Sequence, residues 1–302
     1  MSYLSYFLLF IFGLAVGSFL NVVIFRYRPG ERLLSLKTIG GPGSSKKRSQ
    51  CLSCEKKLNW YELIPLFSFI IQNGKCRGCG AAISFQYFLV ELLSGLIFVF
   101  VPMFWAAALP LLLLPSYISM FAIISFIWIS VFLIFIVLSA IDLKHFIIPD
   151  SVNLTLAVLG AILLGANFYF KKITFFNGSF LGSSAAFLSL TDNIFINYIF
   201  AAAVMMVFFG LIIFITKGKG MGWGDFKLVG ALGLIFGWPD ILAAVFLAFI
   251  IGALVSLVFV CRKKKGMKDI IPFGPFLVLG ASLVFFFGGQ IMDWYFKLLS
   301  GF

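Results

Sequence analysis

Seven apolar runs, at roughly 4–25, 86–109, 117–141, 151–170, 194–216, 240–260 and 274–296, leave this chain few folds to choose from. A run of about 20 apolar residues is what a helix needs to cross the hydrocarbon layer of a bilayer. An eighth and shorter run covers 226–238. The chain therefore reads as all-α, a polytopic integral membrane protein of about eight transmembrane helices. Composition agrees, because 62% of residues are apolar and only 11% charged, against about 25% charged in a soluble domain. The first run has no basic n-region and no small-residue cleavage site, so it reads as a retained span.

Basic residues then give the chain a direction. With eight crossings, the segments on one side are about 26–85, 142–150, 217–225 and 261–273, and these hold nineteen of the twenty-three Lys and Arg residues. Cytoplasmic loops carry the excess of positive charge. Those segments are thus expected in the cytoplasm and both termini in the periplasm. The net charge of +12 is a record of topology, and no nucleic-acid partner is expected; the partner that the composition demands is the lipid bilayer.

The only long polar segment, Tyr27 to Ser84, contains Cys51-x-x-Cys54 and Cys76-x-x-Cys79 with twenty-one residues between the pairs. Two such pairs supply four thiolates for a tetrahedral Zn²⁺. In a cytoplasmic loop thiols stay reduced, which argues against disulfides. A closed four-cysteine site leaves no position for water, so its expected role is to fold a loop too small to build a core. Cys261 has no such partner in the sequence and reads as a bystander. The expected organisation is a first span at 1–25, a cytoplasmic zinc-binding domain at 26–85 and a transmembrane core at 86–302.

Carboxylates beside membrane spans are costly and are by default candidate functional groups. Asp142 closes the third span, at a helix C-terminus where the macrodipole disfavours negative charge, whereas Asp150 precedes a span and is explained as an N-cap. Asp225 follows a run in which Gly218, Gly220, Gly222 and Gly224 alternate with other residues. Glycines there allow φ > 0 and close approach of another chain; the competing reading of Asp225 is a helix cap. By span parity Asp142 and Asp225 reach the same membrane face. Two carboxylates sharing a site do not both ionise easily, so one can activate water while its protonated partner polarises a carbonyl. Glu91, one or two turns inside the second span, either snorkels to the interface or belongs to a site. His145 reads as an interfacial polar residue. Gly17, Ser18 and Asn21 lie within about one turn of the first span and suit close helix packing.

Taken together, Gly17-Ser18-Phe19-Leu20-Asn21, the two cysteine pairs around Trp60-Tyr61-Glu62-Leu63-Ile64-Pro65, Val90-Glu91-Leu92, Ile141-Asp142 with Ile148-Pro149-Asp150, Gly220-x-Gly-x-Gly224-Asp225-Phe226-Lys227 and Pro272-Phe273-Gly274-Pro275 resemble the bacterial type IV prepilin leader peptidase and N-methyltransferase family. The resemblance covers most of the chain in the same order. It implies a bifunctional enzyme of the inner membrane that cleaves the basic leader of type IV prepilins or type II secretion pseudopilins and methylates the new N-terminal residue, with S-adenosylmethionine as donor. It further implies Asp142 and Asp225 as the catalytic pair, Gly220, Gly222 and Gly224 as backbone against which substrate lies, and Cys51, Cys54, Cys76 and Cys79 as zinc ligands. Glu91 is the one candidate for the methyl-donor site and joins those glycines as a candidate substrate contact. The segment Leu33–Gln50 departs from the resemblance by being longer and more basic. Two other readings use the same residues: an aspartyl membrane peptidase without methyl transfer, and a cation transporter in which the two aspartates relay protons.

Overall fold

A computed structural model describes residues 3–30, 50–51, 53–108, 114, 117–171, 179–182, 193–262 and 271–300. The extended basic segment before the first cysteine, the Gly40–Arg48 stretch and most of the basic run after Cys261 lie outside the described residues. Among the described residues the regular structure is helical, with two isolated β-bridges in the cysteine-containing loop. The chain divides into two compact units, Met1–Trp105 and Ala106–Phe302.

The first unit holds α1 (Tyr3–Arg26), a 3₁₀ turn (Trp60–Leu63), the short α2 (Phe67–Ile71) and α3 (Phe85–Ala108). Helices α1 and α3 meet along small residues. A Cβ on Gly17 would lie 2.8 Å from the Glu91 Cα, and one on Gly13 would lie 2.8 Å from the Ser94 carbonyl oxygen. Asn21 closes the same seam by donating to the Tyr87 carbonyl oxygen at 3.1 Å. In lipid there is no hydrophobic drive between helices, and small residues that let backbones approach take its place.

The second unit holds α4 (Ile118–His145), α5 (Asp150–Lys171), α6 (Ile194–Thr216), α7 (Trp223–Phe236), α8 (Asp240–Cys261) and α9 (Gly274–Ser300). Among the described residues, six of the expected eight spans are clear from these and α1, and α3 brings to seven the helices that are long and apolar enough to cross. The eighth segment forms α7, whose 14 residues extend about 21 Å at 1.5 Å per residue. It is wrapped by protein: α7 packs against α5 and α6, and a Cβ on Gly233 would lie 2.5 Å from the Ala202 Cα of α6. The outward faces carry apolar side chains such as Phe126, Phe214 and Phe246, as lipid-facing helices do. Trp128, Phe132, Phe180, Phe236 and Phe285 stack together within the unit. Nearby, the fully buried Asp240 accepts from the Ser179 hydroxyl at 2.6 Å and the Phe180 amide at 2.8 Å. That carboxylate fastens the 179–182 segment.

Candidate functional site

The second unit gathers its candidate functional residues where α4, α7 and α9 converge. Helix α4 stops one turn after Asp142, because Phe146 turns left-handed (φ 55°) and donates its amide to the Asp142 carbonyl oxygen at 2.8 Å. Asp142 is 4% exposed. The sequence argument that a helix C-terminus is a poor place for an acid has its answer in another helix. Gly274, the first residue of α9, donates its amide to Asp142 Oδ2 at 3.1 Å. The positive end of α9 thus meets the carboxylate. Pro272 and Pro275 bracket this glycine, and helix-opening amides have no partner within their own helix. A Cβ on Gly274 would lie 2.6 Å from Asp142 Oδ2, so a larger residue displaces the acid.

Asp225 sits in the first turn of α7 and is 9% exposed. Its capping reading is visible in one oxygen, and the other oxygen is left over. Oδ2 accepts from the Gly222 amide at 3.3 Å, as a capping carboxylate does, while Oδ1 is buried without a hydrogen-bond partner. Buried polar atoms are nearly always satisfied, so an exception asks for an explanation. Asp142 is close enough to Asp225 for their charges to act on one another.

Of the four glycines before Asp225, only Gly218 has a positive φ, at 74°. It follows the left-handed Lys217 that ends α6 and donates to the Ile213 carbonyl oxygen at 2.9 Å. Left-handed freedom therefore belongs to the helix end and not to Gly220, Gly222 or Gly224. At Gly224 the constraint is space, since a Cβ there would lie 3.0 Å from the Ile148 Cβ. A Cβ on Gly220 would press on the Thr216 side chain at 2.9 Å, and one on Gly222 makes ordinary contact with Asp225 Oδ2 at 3.5 Å and the Gly224 backbone nitrogen at 3.9 Å.

Two contributors were not singled out from sequence. Ile148 lies against both Gly224 and Gly274, and so wedges the two loops that carry or hold the acids. Asn153 donates to the Gly224 carbonyl oxygen at 3.4 Å and keeps its own Oδ1 buried without a hydrogen-bond partner. The available signal was spacing: Asn153 lies three residues after Asp150, one turn along α5. Asp150 is the first residue of α5, one place inside the expected cap, and it pairs with Lys227 of α7 at 2.7 Å on the exposed rim.

The first unit brings the four cysteines together. Their sulfurs all lie within 4.8 Å of one another, with Cys51 to Cys79 at 3.8 Å and Cys54 to Cys76 at 4.0 Å. A tetrahedral site with Zn–S bonds of about 2.3 Å has sulfurs about 3.8 Å apart, so the cluster fits that metal. Although the sequence shows no obvious repeat, the two cysteine turns are built alike. Bridges join Gln50 to Lys57 and Lys75 to Ala82. The Cys51 amide donates to the Lys56 carbonyl oxygen, and the Cys76 amide to that of Ala81. The residue after each second cysteine is left-handed: Glu55 at φ 56° and Gly80 at φ 70°. Amides of Cys54 and Ser53 hold the Cys51 thiol down to about 6, which favours the thiolate that binds metals. Glu91 accepts the Leu66 amide at Oε2, 2.8 Å away; Leu66 has a φ of 61°, and this bond holds it there. His145 lies in the last turn of α4, where an interfacial position was expected.

Comparison with known proteins fits this arrangement. Residues 11–105 match the model of the bacterial peptidase A24 N-terminal domain, and residues 128–257 match that of the type IV leader peptidase family. The chain is 33% identical to a prepilin leader peptidase/N-methyltransferase of Xanthomonas campestris pv. campestris, over 94% of this chain and 92% of that protein. This chain belongs to the type IV leader peptidase family. Proteins of the same name from Dichelobacter nodosus and Bacillus subtilis are 33% and 30% identical, and the alignments cover 93% and 99% of their lengths. No solved structure matches the chain. Family membership makes the protein an enzyme and a peptidase, and its seven long apolar helices make it a multi-pass membrane protein.

Proposed function

We propose that the protein removes the leader peptide of type IV prepilins or type II secretion pseudopilins at the cytoplasmic face of the inner membrane, and then methylates the new N-terminal residue. The observation that supports the peptidase half is that Asp142 and Asp225 are buried acids from different helices whose charges act on one another, one of them keeping an oxygen without a partner. In this reading one carboxylate takes a proton from water while the other, protonated, donates to the scissile carbonyl. The water oxygen bonds to the carbonyl carbon. Collapse of that adduct breaks the C–N bond and delivers a proton to the leaving amine. Gly274 orients Asp142, and the exposed backbone at Gly220 and Gly222 offers the extended substrate a surface to lie on.

The names of the relatives support the methylation half. S-adenosylmethionine would supply an electrophilic methyl group to the freed amine. Cys51, Cys54, Cys76 and Cys79 would hold Zn²⁺ as a structural ion with no open coordination position. Cytoplasmic placement of the active site rests on the distribution of Lys and Arg.

The test is leader cleavage by purified protein in lipid, with Asp142→Asn and Asp225→Asn alongside wild type. Each substitution is expected to lower cleavage by at least a thousandfold, within the range of about 10²–10⁴ for a general acid or base and more where two act as one. Processing by either variant within tenfold of wild type removes the dyad. Mass spectrometry of the product N-terminus, with S-adenosylmethionine present, reads methylation in the same sample.

A further inference from the structure

The loop of the first unit turns a broad apolar surface outward. In the stretch 60–71 the only charged residue is Glu62, and that carboxylate is buried, with Oε2 on the Asn59 amide at 2.8 Å. Trp60, Leu63, Phe67, Ile70 and Ile71 are all exposed, Trp60 by 77%. Phe67, Ile70 and Ile71 stand at i, i+3 and i+4 and share one face of α2. A contiguous apolar patch of this kind, rimmed by polar residues, marks an interaction surface.

Three contacts fix where the patch sits along α3. The Leu66 amide donates to Glu91 Oε2 at 2.8 Å, and a helical side chain leans back toward the start of its helix. Phe69 packs on Phe85 and Phe88, in the first turn of α3, with ring centroids 6.1 and 5.5 Å away. The segment therefore lies beside the opening two turns of a span. Helix α3 has 24 residues, about 36 Å at 1.5 Å per residue, against about 30 Å for the hydrocarbon layer. Its opening turns thus lie where headgroups give way to acyl chains. Phe85, Leu89 and Leu93 continue the exposed apolar surface along α3 at a spacing of four, so the loop's patch adjoins that stripe at Phe85.

Charge at the rim matches the same medium. Lys56 and Lys57 on the first cysteine turn, and Lys75 and Arg77 on the second, are exposed, against one exposed acid, Glu55. The Arg77 guanidinium lies 5.4 Å from the centre of the Tyr61 ring, which ties the second turn to the aromatic surface. Trp and Tyr favour the zone between headgroups and hydrocarbon, and Lys and Arg beside it attract anionic headgroups. Depth decides the occupant, because the medium beside the opening turns of a span is lipid.

We propose that residues 60–71 are an interfacial anchor. The face of Phe67, Ile70 and Ile71 and the Trp60 ring are set into the leaflet in which α3 begins, and Lys56, Lys57 and Lys75 meet its anionic headgroups. The bilayer thereby holds the cysteine turns at the membrane surface, and the bond from Leu66 to Glu91 sets the depth.

The test uses the full-length protein in lipid nanodiscs. p-Benzoylphenylalanine is introduced in place of Phe67 or of Ile71, with the same group in place of Phe126, on the lipid-facing side of α4, as the reference. Irradiation is expected to add the mass of one intact phospholipid at either loop position, with a yield within threefold of the reference. Adducts that instead join both loop positions to 106–302 or to a second protein chain, or lipid yields below a tenth of the reference at both, overturn the anchor. A second measurement reads hydrogen exchange at the Ile70 and Gln72 amides, which bond within the segment. Each Lys or Arg near an anionic surface is worth about a fivefold change in binding. Exchange at both amides is therefore expected to slow at least fivefold when a third of the phosphatidylcholine is replaced by phosphatidylglycerol. That response should vanish in the combined Lys56→Gln, Lys57→Gln, Lys75→Gln variant, with exchange at the Cys51 and Gly80 amides as in wild type showing that its turns are intact. Equal exchange of wild type in the two lipids, or a response that survives loss of the three lysines, overturns the pairing with anionic headgroups.

Discussion

The cysteine centre and the aspartate centre are built in opposite ways. The backbone hydrogen bonds at the cysteines join residues a few positions apart, such as Cys51 to Lys56 and Cys76 to Ala81. The aspartate centre depends on Gly274 holding Asp142 across 132 positions and on Asn153 reaching Gly224 across 71. A centre made of local turns needs only the metal to join its two halves. A centre made of helix ends needs the whole bundle in register, and every position in it tolerates less change than its chemistry alone suggests.

The largest effect should come from removing the link between the two turns. Cys76→Ser is expected to drop bound zinc from one per chain to near zero, since structural zinc contributes about 10–16 kcal/mol in small domains. Hydrogen exchange should then lose protection at the amides of Cys51 and Gly80, which bond within their own turns. Unchanged zinc content in the purified variant would show that the cysteines do not bind as a set.

In the aspartate centre the corresponding change is steric. Gly274→Ala puts a Cβ where only 2.6 Å separates it from Asp142 Oδ2. Its kcat for leader cleavage should fall about a hundredfold, as displacements of about 1 Å do, with little change in melting temperature. A kcat within twofold of wild type would mean that the Gly274 contact does not set the position of the acid. Gly224→Ala is milder, because 3.0 Å to the Ile148 Cβ asks for a shift of tenths of an ångström. About 1–3 kcal/mol of stability should be lost by overpacking, read from thermal unfolding in detergent; no loss would place Ile148 outside the wedge.

The smallest effect belongs again to the local centre. Glu55 is left-handed where its counterpart in the second turn is Gly80, and a non-glycine residue there costs roughly 1–2 kcal/mol. Glu55→Gly should therefore raise zinc affinity several-fold in a chelator competition. Equal or weaker affinity would show that the two turns are not equivalent.

Sequence alone reached the cysteine centre almost completely, because ligand type and spacing are local properties and zinc geometry is fixed by the metal. It also placed the long helices, since crossing a bilayer sets a length and a polarity that composition displays directly. It brought Asp142 and Asp225 to one membrane face by counting crossings, which depends only on order along the chain. It did not reach Ile148, Asn153 or the Gly274 amide, whose roles are contacts between distant helices with no period or motif of their own. The glycines were read as freedom for the backbone, and the fold makes Gly224 and Gly274 matters of space, which no sequence states until a neighbour is present. Spacing and composition act within a segment, whereas close approach and burial arise between segments, and that is where the structure alone decided.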